Sequence, residues 1–118
     1  MKVLVCGSRS WTSEHEIRSV LREFDRGTIV VHGGARGADQ LAGVVARSLG
    51  MEVREHRPRY DRYPGALAPL IRNRHMLDTE KPDLVIAFWD GHSSGTRHCI
   101  DEAHKRNIPV LHGGAYRP

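Results

Sequence analysis

The sequence has no apolar run approaching the ~20 residues that a membrane-spanning helix requires. This excludes an integral membrane protein of the helical kind. The first apolar run, residues 2–6, is too short for a secretory signal and reads as a strand. Cysteine is scarce: Cys6 and Cys99 are far apart and form no C-x-x-C pair, which excludes a disulfide framework and points to a reducing, cytoplasmic setting. The eight histidines show no H-x-x-x-H or similar spacing, and His98 and His104 do not share a helical face, so no metal site is expected. Internal repeats, low-complexity tracts and linkers are missing as well. At 118 residues the expectation is therefore one domain with one core.

Charge excludes less. The formal net charge is +4, yet the basic residues are scattered. The densest group, Arg54, Arg57, Arg59 and Arg62, is interleaved with Glu55 and Asp61 rather than drawn into a stripe. Nucleic acid remains a possible partner but small anions account for the balance equally well.

What is present is a regular alternation. Apolar runs at residues 2–6, 28–32, 51–55, 83–88 and 108–111 read as strands. Between them, helices are predicted near residues 13–24, 38–49, 67–79 and 96–106. Ser13 with Glu16 has the spacing of a capping box, and Ile17, Val20, Leu21 and Phe24 mark one apolar helical face. Gly50 stops the second helix, Pro69 is tolerated in the first turn of the third, and Thr96 is the expected N-cap of the fourth. The charged third strand suits a sheet edge, and the apolar fourth suits burial on both faces. Five strands alternating with four helices imply an α/β, three-layer, Rossmann-like fold with a mostly parallel five-stranded sheet and right-handed crossovers.

In such sheets ligands lie beyond the carboxyl ends of the strands, where strand order reverses. Those ends carry Gly7-Ser8-Arg9, Gly33-Gly34-Ala35-Arg36, Asp90-Gly91 and Ser94-Gly95-Thr96. The Gly33–Gly34 turn opens into a helix at Ala38-Asp39, and a helix start offers unpaired N–H groups and a positive dipole end. A phosphate or another anion fits there. Ser8 and Arg9 can donate to it, Arg36 can clamp it, and Asp39 can accept from a ribose hydroxyl or stay a first-turn carboxylate. Trp11, Tyr60, Tyr63 and Trp89 are the aromatics available to stack on a base, Trp89 equally being a core residue.

Taken in order, Gly7-Ser8-Arg9 with Trp11, residues 33–39 (GGARGAD), Arg72-Asn73-Arg74-His75-Met76, residues 83–88 and Gly95-Thr96 resemble the YspA-like, cpYpsA-related branch of the SLOG superfamily. The resemblance runs over nearly the whole chain. It implies a Rossmann-like fold that binds nucleotides or their derivatives, no cofactor, and frequent dimers or higher homo-oligomers, with residues 56–65 as a candidate lid or contact. The superfamily also includes the DNA-processing protein DprA, which makes single-stranded DNA a third expectation, and the LOG enzymes, which cleave the N-glycosidic bond of nucleoside monophosphates. Arg72 and Met76 match the LOG helix motif, with Asn73 at its lysine position. Gly95 and Thr96 match the LOG turn, but Cys99 stands where its catalytic glutamate belongs. A thiol cannot stabilise an oxocarbenium-like sugar. Hydrolysis would then fall to Arg72 with Glu102, one helical turn beyond Cys99, and Asp90 is the other carboxylate to watch.

Overall fold

The computed structural model describes residues 1–114. Strands β1 (Lys2–Gly7), β2 (Ile29–His32), β3 (Glu52–Glu55), β4 (Leu84–Phe88) and β5 (Val110–His112) alternate with helices α1 (Glu14–Leu21), α2 (Ala38–Ser48), α3 (Ala68–Glu80) and α4 (Ser94–Lys105). All pair in parallel in the order β3-β2-β1-β4-β5. The expected architecture and the edge position of β3 are as the sequence implies.

Alternation within β1 divides the core. Val3 and Val5 join Ile17, Leu21, Val45 and Phe88 on the face covered by α1 and α2. Leu4 and Cys6 point the other way, onto Met76, Leu77, Cys99 and Ile100 beneath α3 and α4. Each large apolar side chain so buried contributes roughly 1.5–3 kcal/mol, which makes β1 the spine of both layers. Chain progress from β1 to β3 moves outward on one side, then returns to β4 on the other side of β1. Strand order therefore reverses between β1 and β4, and the turns leaving their carboxyl ends diverge there.

Two helix boundaries differ from the sequence reading. Ser13 caps α1 as expected, its Oγ accepting from Glu16 N–H at 3.3 Å, but α1 ends at Leu21 and Phe24 lies beyond it. Thr96 is not the cap of α4. Ser93 takes that place, in extended conformation, its Oγ accepting from Thr96 N–H at 3.4 Å. The cause is Asp90, whose Oδ1 accepts from the N–H groups of His92 and Ser93 at 2.8 and 3.0 Å and fixes Ser93 outside the helix. Several eligible capping residues lie in succession here, and only the turn before them selects one.

Candidate functional site

The carboxyl ends of β1, β2 and β4 meet around Ser8. Its N–H donates to Phe88 O at 3.0 Å, and its carbonyl accepts from Trp11 N–H at 3.1 Å and Ala38 N–H at 3.2 Å. Its Oγ accepts from Asp90 N–H at 3.0 Å. Ser8 is buried and fastens the three turns to one another, with Gly7 ending β1 directly under Ala38. Its main work is thus positioning.

The Gly33-Gly34-Ala35 turn differs from the expected anion cradle. Asp39 Oδ2 accepts from Gly33 N–H at 3.0 Å and from Ala35 N–H at 3.4 Å. Gly34 N–H donates to His32 Nδ1 at 3.0 Å. In the first turn of α2, Ala38 donates to Ser8 O and Gln40 to Ala35 O. Three of the loop's N–H groups are thus taken by the protein, while those of Arg36 and Gly37 meet no acceptor among the described residues. Asp39 is the organiser of this turn. Burial pushes its carboxyl up to about 6, against the pull of Arg72 and the two N–H groups. Burial takes the His32 imidazole the other way, to about 4; protonating Nδ1 would break the Gly34 bond, and Nε2 is buried without a partner among the described residues.

These two shifts oppose each other. His32 has a folded pKa below its unfolded value of about 6.5, so its contribution is lost as pH falls from there towards 4. Asp39 has a folded pKa above its unfolded 3.8, so stability is gained as pH falls through 6. Each amounts to about 3 kcal/mol with opposite sign. Urea unfolding is therefore expected to give nearly constant stability between about pH 6.5 and 4. Below that, Glu80 and Glu102, both held at about 2, protonate and stability drops. Asp39→Asn removes one side of the balance, and its stability should fall steadily across the same range. Parallel curves for the two proteins would contradict the assignment.

Arg72 and Asn73 reach the site from α3. Arg72 Nη1 donates to the carbonyl of Gly33, and also to His56 O at 3.4 Å, while Nε donates to Asn73 Oδ1 at 2.9 Å. A side chain at Gly33 would lie on that guanidinium, which is the reason glycine stands there. Asn73 is buried and continues the chain of contacts to α4, its Nδ2 meeting His98 Nδ1 at 3.2 Å and Gly95 O at 3.4 Å. Arg72 is thus an anchor between two layers, its charge set beside Asp39.

Above this floor lies an open cleft of about 1170 Å³. Ser8, Arg9, Ser10 and Arg36 line one part, Tyr60, Pro69 and Leu70 another, and Asp90, Ser93, Ser94, Gly95 and His98 the rest. At its base a narrow recess of about 60 Å³ is bordered by Cys6, Asp39, Arg72, Asn73, Thr96 and Cys99. The guanidinium groups of Arg9 and Arg36 are exposed and meet no acceptor among the described residues. The N–H groups of Ser94 and Gly95, at the start of α4, likewise have none among those residues. The start of α4 therefore offers two adjacent open donors to an anion, whereas at α2 the Gly33–Ala35 donors are already taken. Tyr60 stands exposed on the rim. Trp11 instead packs edge-on against Phe88 with centroids 5.6 Å apart, and Trp89 donates to Ser93 O at 3.0 Å, so both are structural. Gly91, at a φ of 87°, shapes the turn after Asp90.

Glu102 is not brought to the cleft, a correction to the expected working pair with Arg72. It is buried one turn further along α4, where its carboxylate meets Arg74 Nε at 3.2 Å, Lys105 Nζ at 2.8 Å and Arg106 Nη1 at 3.1 Å. Lys105 and Arg106 at the end of α4 and Arg74 of α3 hold it there. Glu102→Gln is expected to lose about 1–3 kcal/mol of stability in urea unfolding and to leave ligand affinity unchanged. Conversely, His98 was weighed in the sequence only as a metal ligand, yet it lines the cleft and bonds Asn73. Its helical position three residues before Asp101 gave no sign of this; the contact joins two helices. Among the described residues no group of His, Cys, Asp and Glu side chains could hold a metal ion, and no helix is long and apolar enough to cross a membrane.

The parallel sheet, the reversal between β1 and β4 and the cleft above it define a Rossmann-like α/β domain with its main cleft at the carboxyl edge. Comparison with known proteins gives the family. Residues 1–63 match the YspA, cpYpsA-related SLOG family, and the chain is 40% identical over 121 residues to the Gene 61 protein of Mycobacterium phage D29, covering 96% of each. The chain belongs to the YspA, cpYpsA-related SLOG family. Its fold is similar to that of DNA processing protein A (DprA) from Streptococcus pneumoniae, with a TM-score of 0.79 at 18% identity. That likeness covers 94% of this chain and 49% of the DprA chain, so the domain spans about half of that protein.

Proposed function

We propose that this chain binds a nucleotide or nucleotide-derived small molecule at the carboxyl edge of its sheet, as a sensor or carrier in the cytoplasm. The supporting observation is the pairing of two acceptor-free arginines, Arg9 and Arg36, with the open N–H groups of Ser94 and Gly95 in one cleft. A phosphate satisfies all four groups, bidentately at an arginine and along the dipole at the helix start. Tyr60, on the same rim, offers its ring face to a base. Arg72, Asn73, Asp39 and Thr96 hold the floor beneath the ligand.

Glycosidic bond cleavage requires a carboxylate free to stabilise a cationic sugar or direct a water. Asp39 and Asp90 each hold two N–H groups, and Glu102 sits among three cations outside the cleft. Binding is the reading these commitments favour. A thermal-shift screen against nucleoside mono-, di- and cyclic phosphates, with product analysis of each hit, tests it. A ligand at ~100 times its Kd adds roughly 2.7 kcal/mol to the folded state. Stabilisation with the ligand recovered intact supports the proposal. Release of free base replaces it with hydrolysis, and no stabilisation by any nucleotide removes it.

A further inference from the structure

The main cleft continues past Arg36 and Tyr60. A second hollow of about 310 Å³ is bordered by Arg9, Arg36, Arg57, Tyr60 and Arg72. Beyond it, a third of about 280 Å³ lies between Arg59, Arg62, Tyr63, Ile71 and His75. Shared walls join them: Arg36 and Tyr60 border the main cleft and the second hollow, Arg57 and Arg72 the second and the third. No carboxylate lines the second or third hollow. The nearby acids engage single arginines from outside, Glu55 holding Arg57 Nε at 2.8 Å and Asp61 holding Arg59 at 2.9 and 3.0 Å. The Arg62 guanidinium has no hydrogen-bond or ion-pair partner among the described residues. Arginine therefore lines the path at every stage, Asp90 in the main cleft being the one carboxylate among its described lining residues, and the main cleft by itself exceeds the ~300–1,000 Å³ of ordinary small-ligand pockets.

We infer that the third hollow is a second anion subsite, and that the site takes an elongated ligand phosphorylated at two points, of the class of a 5′-phosphorylated dinucleotide. This rests on the nucleotide-binding reading above. One phosphate occupies the Arg9–Arg36 end, the ligand passes Tyr60 and Arg57, and the second phosphate reaches Arg59 and Arg62. Planar guanidinium groups match phosphate oxygens in pairs. The exposed Arg59–Asp61 pair is worth little in water, so Arg59 can turn to a phosphate at small cost.

The test is calorimetric titration of the wild-type chain and of the Arg59→Ala/Arg62→Ala double variant with a 5′-mononucleotide, a 5′-phosphorylated dinucleotide and a single-stranded decanucleotide. Both replaced residues are exposed, so the variant should fold. The dinucleotide is expected to bind wild type about tenfold more tightly than the mononucleotide. In the double variant that advantage should vanish while mononucleotide affinity is retained, and the salt dependence of dinucleotide binding should weaken by about 0.7 in log–log slope. Equal affinities for the two ligands in wild type, or a loss of both in the variant, overturn the second subsite and leave the nucleotide reading standing. A further large gain with the decanucleotide overturns it in favour of a nucleic-acid strand. No binding of any ligand removes both readings.

Discussion

Arg72→Ala is expected to abolish the proposed nucleotide binding and to lower stability by about 3 kcal/mol in urea unfolding. The guanidinium bridges the Gly33 carbonyl, His56 O and Asn73 Oδ1, and its charge offsets the buried carboxylate of Asp39. Without it, the β2–α2 turn loses its tie to α3, and the recess over Cys6 and Cys99 loses a wall. A second substitution separates local packing from general damage. Gly33→Ala alone should destabilise, because the added methyl falls on the guanidinium. In the Arg72→Ala background the methyl has room, and φ at Gly33 is not in the left-handed region. The double-mutant cycle should therefore show strong coupling, with the second change costing much less than it does alone. Additive losses would mean that Gly33 is required for another reason. Arg72→Lys should not rescue binding, since a single ammonium cannot bridge these acceptors in a plane.

Gly37→Ala is expected to be the most damaging single methyl addition in the chain, at least ~3 kcal/mol. Gly37 has a φ of 81° and ψ of −129°, which residues with a Cβ rarely adopt, and the methyl would meet the carbonyls of Ser8 and Arg9. Those carbonyls belong to the β1–α1 turn, so the strain would spread from the start of α2 to the wall that carries Arg9. Gly95→Ala is the matched control. Nothing lies within 4 Å of its added Cβ, it sits in the first turn of α4, and it should be neutral or slightly stabilising. Thermal unfolding of the two variants side by side checks the contrast. Similar behaviour would mean that the Gly37 turn can relax without loss.

The location of the cleft was legible because its markers are local. Glycine and small polar residues after each apolar run mark the carboxyl ends of strands, and in a parallel sheet those ends lie together. The N-cap Ser13 and the stop at Gly50 were legible for the same reason. Which N–H groups face a ligand was not. Around Gly33 they were expected to be open, yet the carboxylate of Asp39, six residues on, takes two of them. At α4 the sequence favoured Thr96 as cap, while Asp90 moves that role to Ser93 and leaves Ser94 and Gly95 open. Glu102 has the right helical spacing from Cys99 for a displaced catalytic carboxylate. Lys105 and Arg106 hold its carboxylate, and Arg74 on α3, 28 residues away in sequence, completes the cluster away from the cleft.

The sequence by itself determined the alternation of strands and helices, the parallel sheet and the edge on which glycines and small polar residues gather, because periodicity, turn chemistry and chain handedness act over a few residues. Tertiary structure alone decided the strand order, the tie from Arg72 to Gly33 across 39 positions, and which donors stay unsatisfied. A hydrogen-bonding group takes the nearest acceptor in space, and spacing along the chain does not tell which acceptor folding will bring there.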